Sequence, residues 1–226
     1  KDYPQAMRYF GKTLQRVEND PDSTGPAASL LFNYSLAAHH ARLYEEAADL
    51  LRKTALLDPA SLNAYLQYVF QQDEDVQTIT AQKVFATLLD PLPEQREAIL
   101  TNLALLFSYQ QNFEKAIRLF NQVEREATDS GKLGQLTDQF YYWYGSAQER
   151  MGNITEAERL LKKTIELNPE HAAAYNYMAY MWAEKGTNLK QAEAYILQAL
   201  RHEPDNAAFL DTHGWVLFMK KDYAGA

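Results

Sequence analysis

Seven alanines recur in register along this chain: Ala6, Ala47, Ala81, Ala116, Ala157, Ala192 and Ala226, spaced 34, 35 or 41 residues apart. A period of that length constrains the fold more than composition can. One such unit is too short to bury an apolar face alone and must stack on its neighbours. The local context repeats as well. Leu43-Tyr44-Glu45-Glu46-Ala47, Asn112-Phe113-Glu114-Lys115-Ala116, Asn153-Ile154-Thr155-Glu156-Ala157 and Asp222-Tyr223-Ala224-Gly225-Ala226 each place an aromatic or aliphatic residue three before the alanine. In the first three, a large apolar residue follows four later: Leu51, Phe120 and Leu161. That spacing is helical. Prolines punctuate the helices at Pro59, Pro93, Pro169 and Pro204, where the residue before the ring is steered out of the helical region. With only 9 glycines among 226 residues, a turn-rich β fold is disfavoured.

This pattern resembles the tetratricopeptide repeat (TPR) family, whose unit is a 34-residue helix–turn–helix. In that family, large residues occupy repeat positions 4, 7, 11, 17 and 24, and small ones positions 8 and 20. Here position 20 is alanine throughout. Position 8 reads Ser35, Val69, Ala104, Gly145, Ala179 and Gly214; position 24 reads Phe10, Leu51, Phe85, Phe120, Leu161 and Ile196. Small residues let two helices approach, and large ones fill the space between them. The pattern lapses at Thr78 (position 17), at Asp73-Glu74-Asp75 near a turn, and at Gln148 (position 11). The expected fold is all-α, a right-handed superhelical solenoid of antiparallel helix pairs.

A single array over 1–226 is expected. A partial repeat (1–27) precedes repeats 28–61, 62–96, 97–137, 138–171 and 172–206, and a partial repeat (207–226) follows. Two seven-residue insertions, in Asn19–Ala27 and Ala127–Thr137, are rich in turn formers. They read as surface loops, or alternatively as contacts to a ligand or another subunit. Lys1-Asp2-Tyr3 and Lys221-Asp222-Tyr223 stand at the same repeat phase. This predicts further repeats on both sides of the segment.

The resemblance implies that the first helix of each pair (helix A) lines a concave surface and the second (helix B) a convex one, with ligands in the concave groove. Helical periodicity then selects the groove stripe. Its candidate partner-binding residues are Asn33, Leu36, Asn63, Gln67, Phe70, Asn102, Leu105, Tyr109, Tyr142, Trp143, Asn176, Tyr177, Tyr180 and Trp215. Asn33, Gln67 and Asn102 share one repeat position, and an amide there offers a donor and an acceptor to an extended main chain. Tyr142, Trp143, Tyr177 and Tyr180 either bind a partner or pack between repeats. The stripe also carries His39, Ala183, Thr212 and the acidic Asp73, Glu149 and Asp211, but no Lys or Arg before Arg150 at its edge. A clamp for a carboxylate terminus needs cations there, so that mode is rejected and a neutral or basic ligand with apolar side chains is expected.

Chemistry is sparse. No cysteine exists for a disulfide, thiolate metal site or nucleophile. Gly11-Lys12-Thr13 ends like a phosphate loop, but Ala6 stands where the motif needs glycine. His39, His40, His171, His202 and His213 show no metal-ligand spacing. The glycosylation-like Asn153-Ile154-Thr155 falls in an intra-repeat turn. A net charge of −8 opposes nucleic-acid binding, and no apolar run is long enough to span a membrane. The expectation is a non-enzymatic scaffold or adaptor without cofactor or metal that holds a peptide or helix of a partner protein. The alternative is a structural, self-associating solenoid. The C-terminal stretch Ala173–Ala226 is similar to the ends of bacterial TPR proteins, many of them envelope or lipid-anchored. That likeness implies a bacterial source and leans toward the periplasm, with the cytoplasm also open.

Overall fold

The computed structural model describes residues 3–17, 24–71, 75–90, 92–223 and 225. The side chains of residues 4, 14–17, 24–26, 70, 71, 75–80 and 135 are not described. Among the described residues the regular structure is helical: α1 (Tyr3–Val17), α2 (Thr24–His40), α3 (Tyr44–Leu57), α4 (Ser61–Gln71), α5 (Asp75–Leu88), α6 (Arg96–Tyr109), α7 (Phe113–Asp129), α8 (Asp138–Arg150), α9 (Ile154–Leu167), α10 (Ala172–Glu184), α11 (Leu189–His202) and α12 (Ala207–Met219). Short 3-10 turns lie at Pro93–Gln95 and Leu133–Gln135. The chain divides into two compact units, Lys1–Val123 and Glu124–Ala226, with the division inside α7.

Among the described residues the same punctuation ends five of the helices. After α2, α6, α8, α10 and α12 the chain passes through one residue of positive φ: Arg42 (62°), Gln111 (58°), Gly152 (81°), Gly186 (62°) and Lys221 (65°). In each case the next amide donates back to a carbonyl five residues earlier, as Leu43 N does to Ala38 O at 2.9 Å and Asn153 N to Gln148 O at 2.9 Å. This closes the helix in a Schellman turn. Only two of the five positions are glycine, and a side chain in the left-handed region is strained. Arg42→Gly and Gln111→Gly are each therefore expected to raise stability by roughly 0.5–1 kcal/mol, and Gly152→Ala to lower it by about 1 kcal/mol. Chemical denaturation of the three variants measures this.

Helices α3, α9 and α11 each end two residues before a proline, at Pro59, Pro169 and Pro204. Asp58 and Asn168, each just before a proline, are extended (ψ 96° and 92°). Their side chains then accept from the amides of Ala60 and Glu170 at 3.1 and 3.0 Å. The next helix A is capped at its start by Thr137, His171 or Asn206, each accepting from a first-turn amide.

The core follows the repeat. Ala47, Ala81, Ala116, Ala157 and Ala192 are fully buried, as are Leu51, Phe85, Phe120, Leu161 and Ile196 four residues on. In the first unit α2 packs on α1 and α3, α4 on α3 and α5, and α6 on α4 and α5. In the second, α8 pairs with α9, α10 with α9 and α11, and α12 with α10 and α11. Gly145 of α8 meets α9 so closely that a Cβ there would lie 3.0 Å from Leu161 Cγ and 3.3 Å from Leu160 Cβ. The insertion at Ala127–Thr137 forms the last turn of α7 and a 3-10 turn, and it buries Ala127 and Leu136. The Asn19–Ala27 insertion is partly helical, since α2 begins at Thr24; residues 19–23, Asp73 and Glu74 lie outside the described residues, as do the side chains of Asp75 and Thr78. Gln148 is buried and accepts from Asn153 Nδ2 at 2.8 Å, so the polar lapse at position 11 is satisfied locally.

Candidate functional site: the outward face of helices A

In the first unit the stripe separates into exposed and committed residues. Asn33, Asn63 and Gln67 are exposed and Leu36 is half-buried. Tyr109 is exposed, whereas Leu105 is buried. Asn102 is only 4% exposed, and its Nδ2 donates to Asn63 Oδ1 at 3.3 Å, which ties α6 to α4. The amide ladder Asn33–Gln67–Asn102 thus presents two exposed members and one used internally. The side chain of Phe70 lies outside those described. His39 turns inward, and its Nδ1 lies 2.8 Å from the Tyr65 hydroxyl. Beside it the Tyr68 hydroxyl makes a short hydrogen bond with His40 Nε2, and the His40 ring stacks on Tyr3. This His–Tyr cluster was not legible in the sequence, because its histidines stand on α2 and their tyrosine partners on α4 and α1.

In the second unit the aromatics divide likewise. Tyr142 packs edge-on against Tyr177 at 6.0 Å and lies 4.9 Å from the His171 ring. The Tyr177 hydroxyl donates to Glu149 Oε2 at 3.0 Å and lies 3.2 Å from Ser146 Oγ. Both rings join the core around α10. Trp143 is half-buried. Asn176 is also half-buried, and its Oδ1 is enclosed with no hydrogen-bond partner among the described residues. Ala183 and Thr212 are buried.

Burial, reinforced by the Glu149 charge, pushes the Tyr177 phenol up to about 12, and burial does the same for Tyr144 and Tyr68. The unfolded phenol ionises near 10. Stability from these residues is therefore complete below pH 10 and falls as pH rises toward 12, where the folded phenols also ionise. Tyrosinate absorbance at 295 nm should rise in a step that coincides with loss of helix by circular dichroism. Tyr177→Phe should shift that unfolding step to higher pH.

The outermost aromatics remain open. Tyr180 and Glu184 of α10 and Leu210, Asp211, Trp215 and Phe218 of α12 border an open cavity of about 580 Å³. Tyr180 is 46% exposed, Trp215 37% and Phe218 48%. The Trp215 and Phe218 rings stack 5.4 Å apart at 12°. The stripe includes Asp211 but misses Glu184 and Leu210. Glu184 was readable as the residue one turn beyond Tyr180. A smaller cleft of about 170 Å³ lies between α2 and the start of α4, beside Phe32. Among the described residues no group of three or more His, Asp or Glu is placed to hold a metal ion, and no helix is long and apolar enough to cross a membrane.

Comparison with known proteins places this geometry. A model of the tetratricopeptide repeat matches residues 1–61 and 145–188. Over 78 residues the chain is 31% identical to TPR repeat-containing protein PA4667 of Pseudomonas aeruginosa; the match covers 34% of this chain and 13% of that protein. The fold is similar to crystal structures of MamA (TM-score 0.57, 16% identity, 72% of this chain and 84% of that one) and of the Cut9–Hcn1 hetero-tetramer of APC/C (0.60, 15%, 95% and 40%). It is also similar to the structure of Pseudomonas aeruginosa pilF (0.57, 17%, 90% and 95%). With the register of small and large residues, the shared turn after α2, α6, α8, α10 and α12 and the stacked pairs, these likenesses show that the chain carries tetratricopeptide repeats, matched over residues 1–61 and 145–188, and that its fold is an all-α repeat solenoid, built from a repeat that generally mediates protein–protein interaction.

Proposed function

We propose that this segment is a non-catalytic adaptor that holds a peptide or helix of a partner protein on the outward face of its A helices. The observation that carries the reading is the exposed aromatic group Tyr180, Trp215 and Phe218 around one open cavity. Large exposed rings in a concave setting cost solvation in the free protein and are the side chains most enriched at binding hot spots. The exposed amides of Asn33, Asn63 and Gln67 suit main-chain contacts that set the register of an extended segment. Burial of each aromatic by a ligand contributes about 1.5–3 kcal/mol, against about 0.5–1.5 for each amide hydrogen bond, so the aromatics set affinity. The reading uses the division into repeats 28–61, 62–96, 97–137, 138–171 and 172–206, which makes α2, α4, α6, α8, α10 and α12 the A helices. One of the structures with this fold is itself part of a hetero-tetramer. The test is capture of partner proteins by wild type and by Tyr180→Ala/Trp215→Ala, with identification by mass spectrometry; identical partners at identical yield would refute the reading.

A further inference from the structure

The cavity of the second unit carries two aromatic–acid pairs, one on each wall. On α10, Glu184 follows Tyr180 by one turn, and burial together with the nearby Glu184 carboxylate holds the Tyr180 phenol above its ordinary value. On α12, Trp215 follows Asp211 by one turn. Residues four apart share a helix face, so each carboxylate lies beside an aromatic side chain at the cavity rim. Between them Gly214 supplies no side chain, and a Cβ there would meet nothing within 4 Å. Gly214 lines the same cavity as Trp215 and Phe218, so no side chain at that position narrows it. Of the charges that act on Tyr180, Glu184 and Glu149 are negative and Arg150 is the one cation; Asp211 adds another negative charge to the rim. The rim is acidic on balance, with flat apolar rings between its carboxylates.

The geometry points to an arginine side chain of the partner as the occupant of this cavity, its guanidinium plane on the Trp215 ring and its N–H groups toward Asp211 and Glu184. The assignment rests on the reading of this face as the docking surface and gives it a chemical preference. Three side-chain classes compete. An apolar side chain would cover the rings but take water from the carboxylates without replacing its hydrogen bonds. A lysine ammonium is a compact, strongly hydrated charge that cannot lie flat on a ring. A guanidinium is planar and weakly hydrated, stacks on aromatic faces and presents a fork of donors that fits carboxylates.

Blocked single residues test this on the chain itself. N-acetyl-arginine amide, its lysine analogue and its neutral isostere, the citrulline analogue, are titrated while the Trp215 indole N–H resonance is followed. That resonance is assigned by its disappearance in Trp215→Phe. The arginine probe is expected to shift it saturably and to bind at least about fivefold more tightly than the lysine or citrulline probes. Asp211→Asn/Glu184→Gln is expected to bring arginine down to the citrulline level and leave citrulline unchanged, with an unaltered circular dichroism spectrum. Equal binding of arginine and citrulline, a lysine affinity equal to that of arginine, or no saturable shift with arginine would overturn the assignment. Partner capture is read separately. If capture depends on Tyr180 and Trp215 while the probes show no arginine preference, the arginine assignment fails and the docking face stands. If capture is indifferent to both residues, the docking face itself fails.

Discussion

Gly145→Val is expected to destabilise the second unit by about 1–3 kcal/mol, Leu161→Ala by about 2–5 kcal/mol, and the double variant by clearly less than the two together. The reason is one contact. Gly145 sits at the small position of α8, and Leu161 at the large position of α9 fills the space against it, 3.0 Å from where a Cβ would stand. A valine there collides with Leu161 and with Leu160 Cβ. Removing the leucine side chain leaves a cavity that the valine partly fills. Leu160 still limits the fit, so the recovery is expected to be about 1 kcal/mol or more, not complete. Hydrogen exchange of the α8 and α9 amides reads the effect locally, which suits an array whose repeats need not unfold together. Gly214 is the contrasting case. It stands at the same repeat position, and a Cβ there would meet nothing within 4 Å among the described residues, so the close approach of α8 and α9 is a property of the Gly145–Leu161 pair. Additive losses at Gly145 and Leu161 would show that the small-into-large register does not hold this pair of helices together.

Tyr180→Ala/Trp215→Ala is expected to weaken partner binding by about 30-fold or more while leaving the thermal transition nearly in place. Two truncated hot-spot aromatics cost at least about 2 kcal/mol. Their exposure means that little core is lost. Tyr177→Ala would be a poor substitute, because it also removes the hydrogen bond to Glu149 and the ring contact with Tyr142. Loss of binding there would report a damaged stack. Leu197→Ala, on an exposed position of α11, is the matched control on helix B and should bind like wild type.

The helices and the packing register were legible in the sequence because they rest on steric rules that act within one period. A single alanine at one repeat position means little; the same alanine in every repeat means a close approach, and those described in α3, α5, α7, α9 and α11 are fully buried. The turns after helices A were only half legible. Gly152 and Gly186 announce a left-handed residue, whereas Arg42, Gln111 and Lys221 adopt it against their preference. The face was the least legible part. Periodicity gives the direction of a side chain from its own helix, not whether the next repeat covers it. Asn102 found Asn63, His39 found Tyr65, and Tyr142 and Tyr177 found each other across neighbouring repeats, while Tyr180 and Trp215 stayed open. The excess of tyrosine serves both ends: Tyr65 and Tyr144 are fully buried, and Tyr109 and Tyr180 face solvent.

The docking face proposed for this protein is the outward side of its A helices, away from the B helices. A photo-crosslinking amino acid placed singly at Tyr180, Gln67 and Leu197 tests that directly, with adducts identified by mass spectrometry. Crosslinks to one partner protein from positions 180 and 67, and none from position 197, are the expected result. Adducts from position 197 with none from position 180 would put the partner on the B helices and contradict the docking face proposed here.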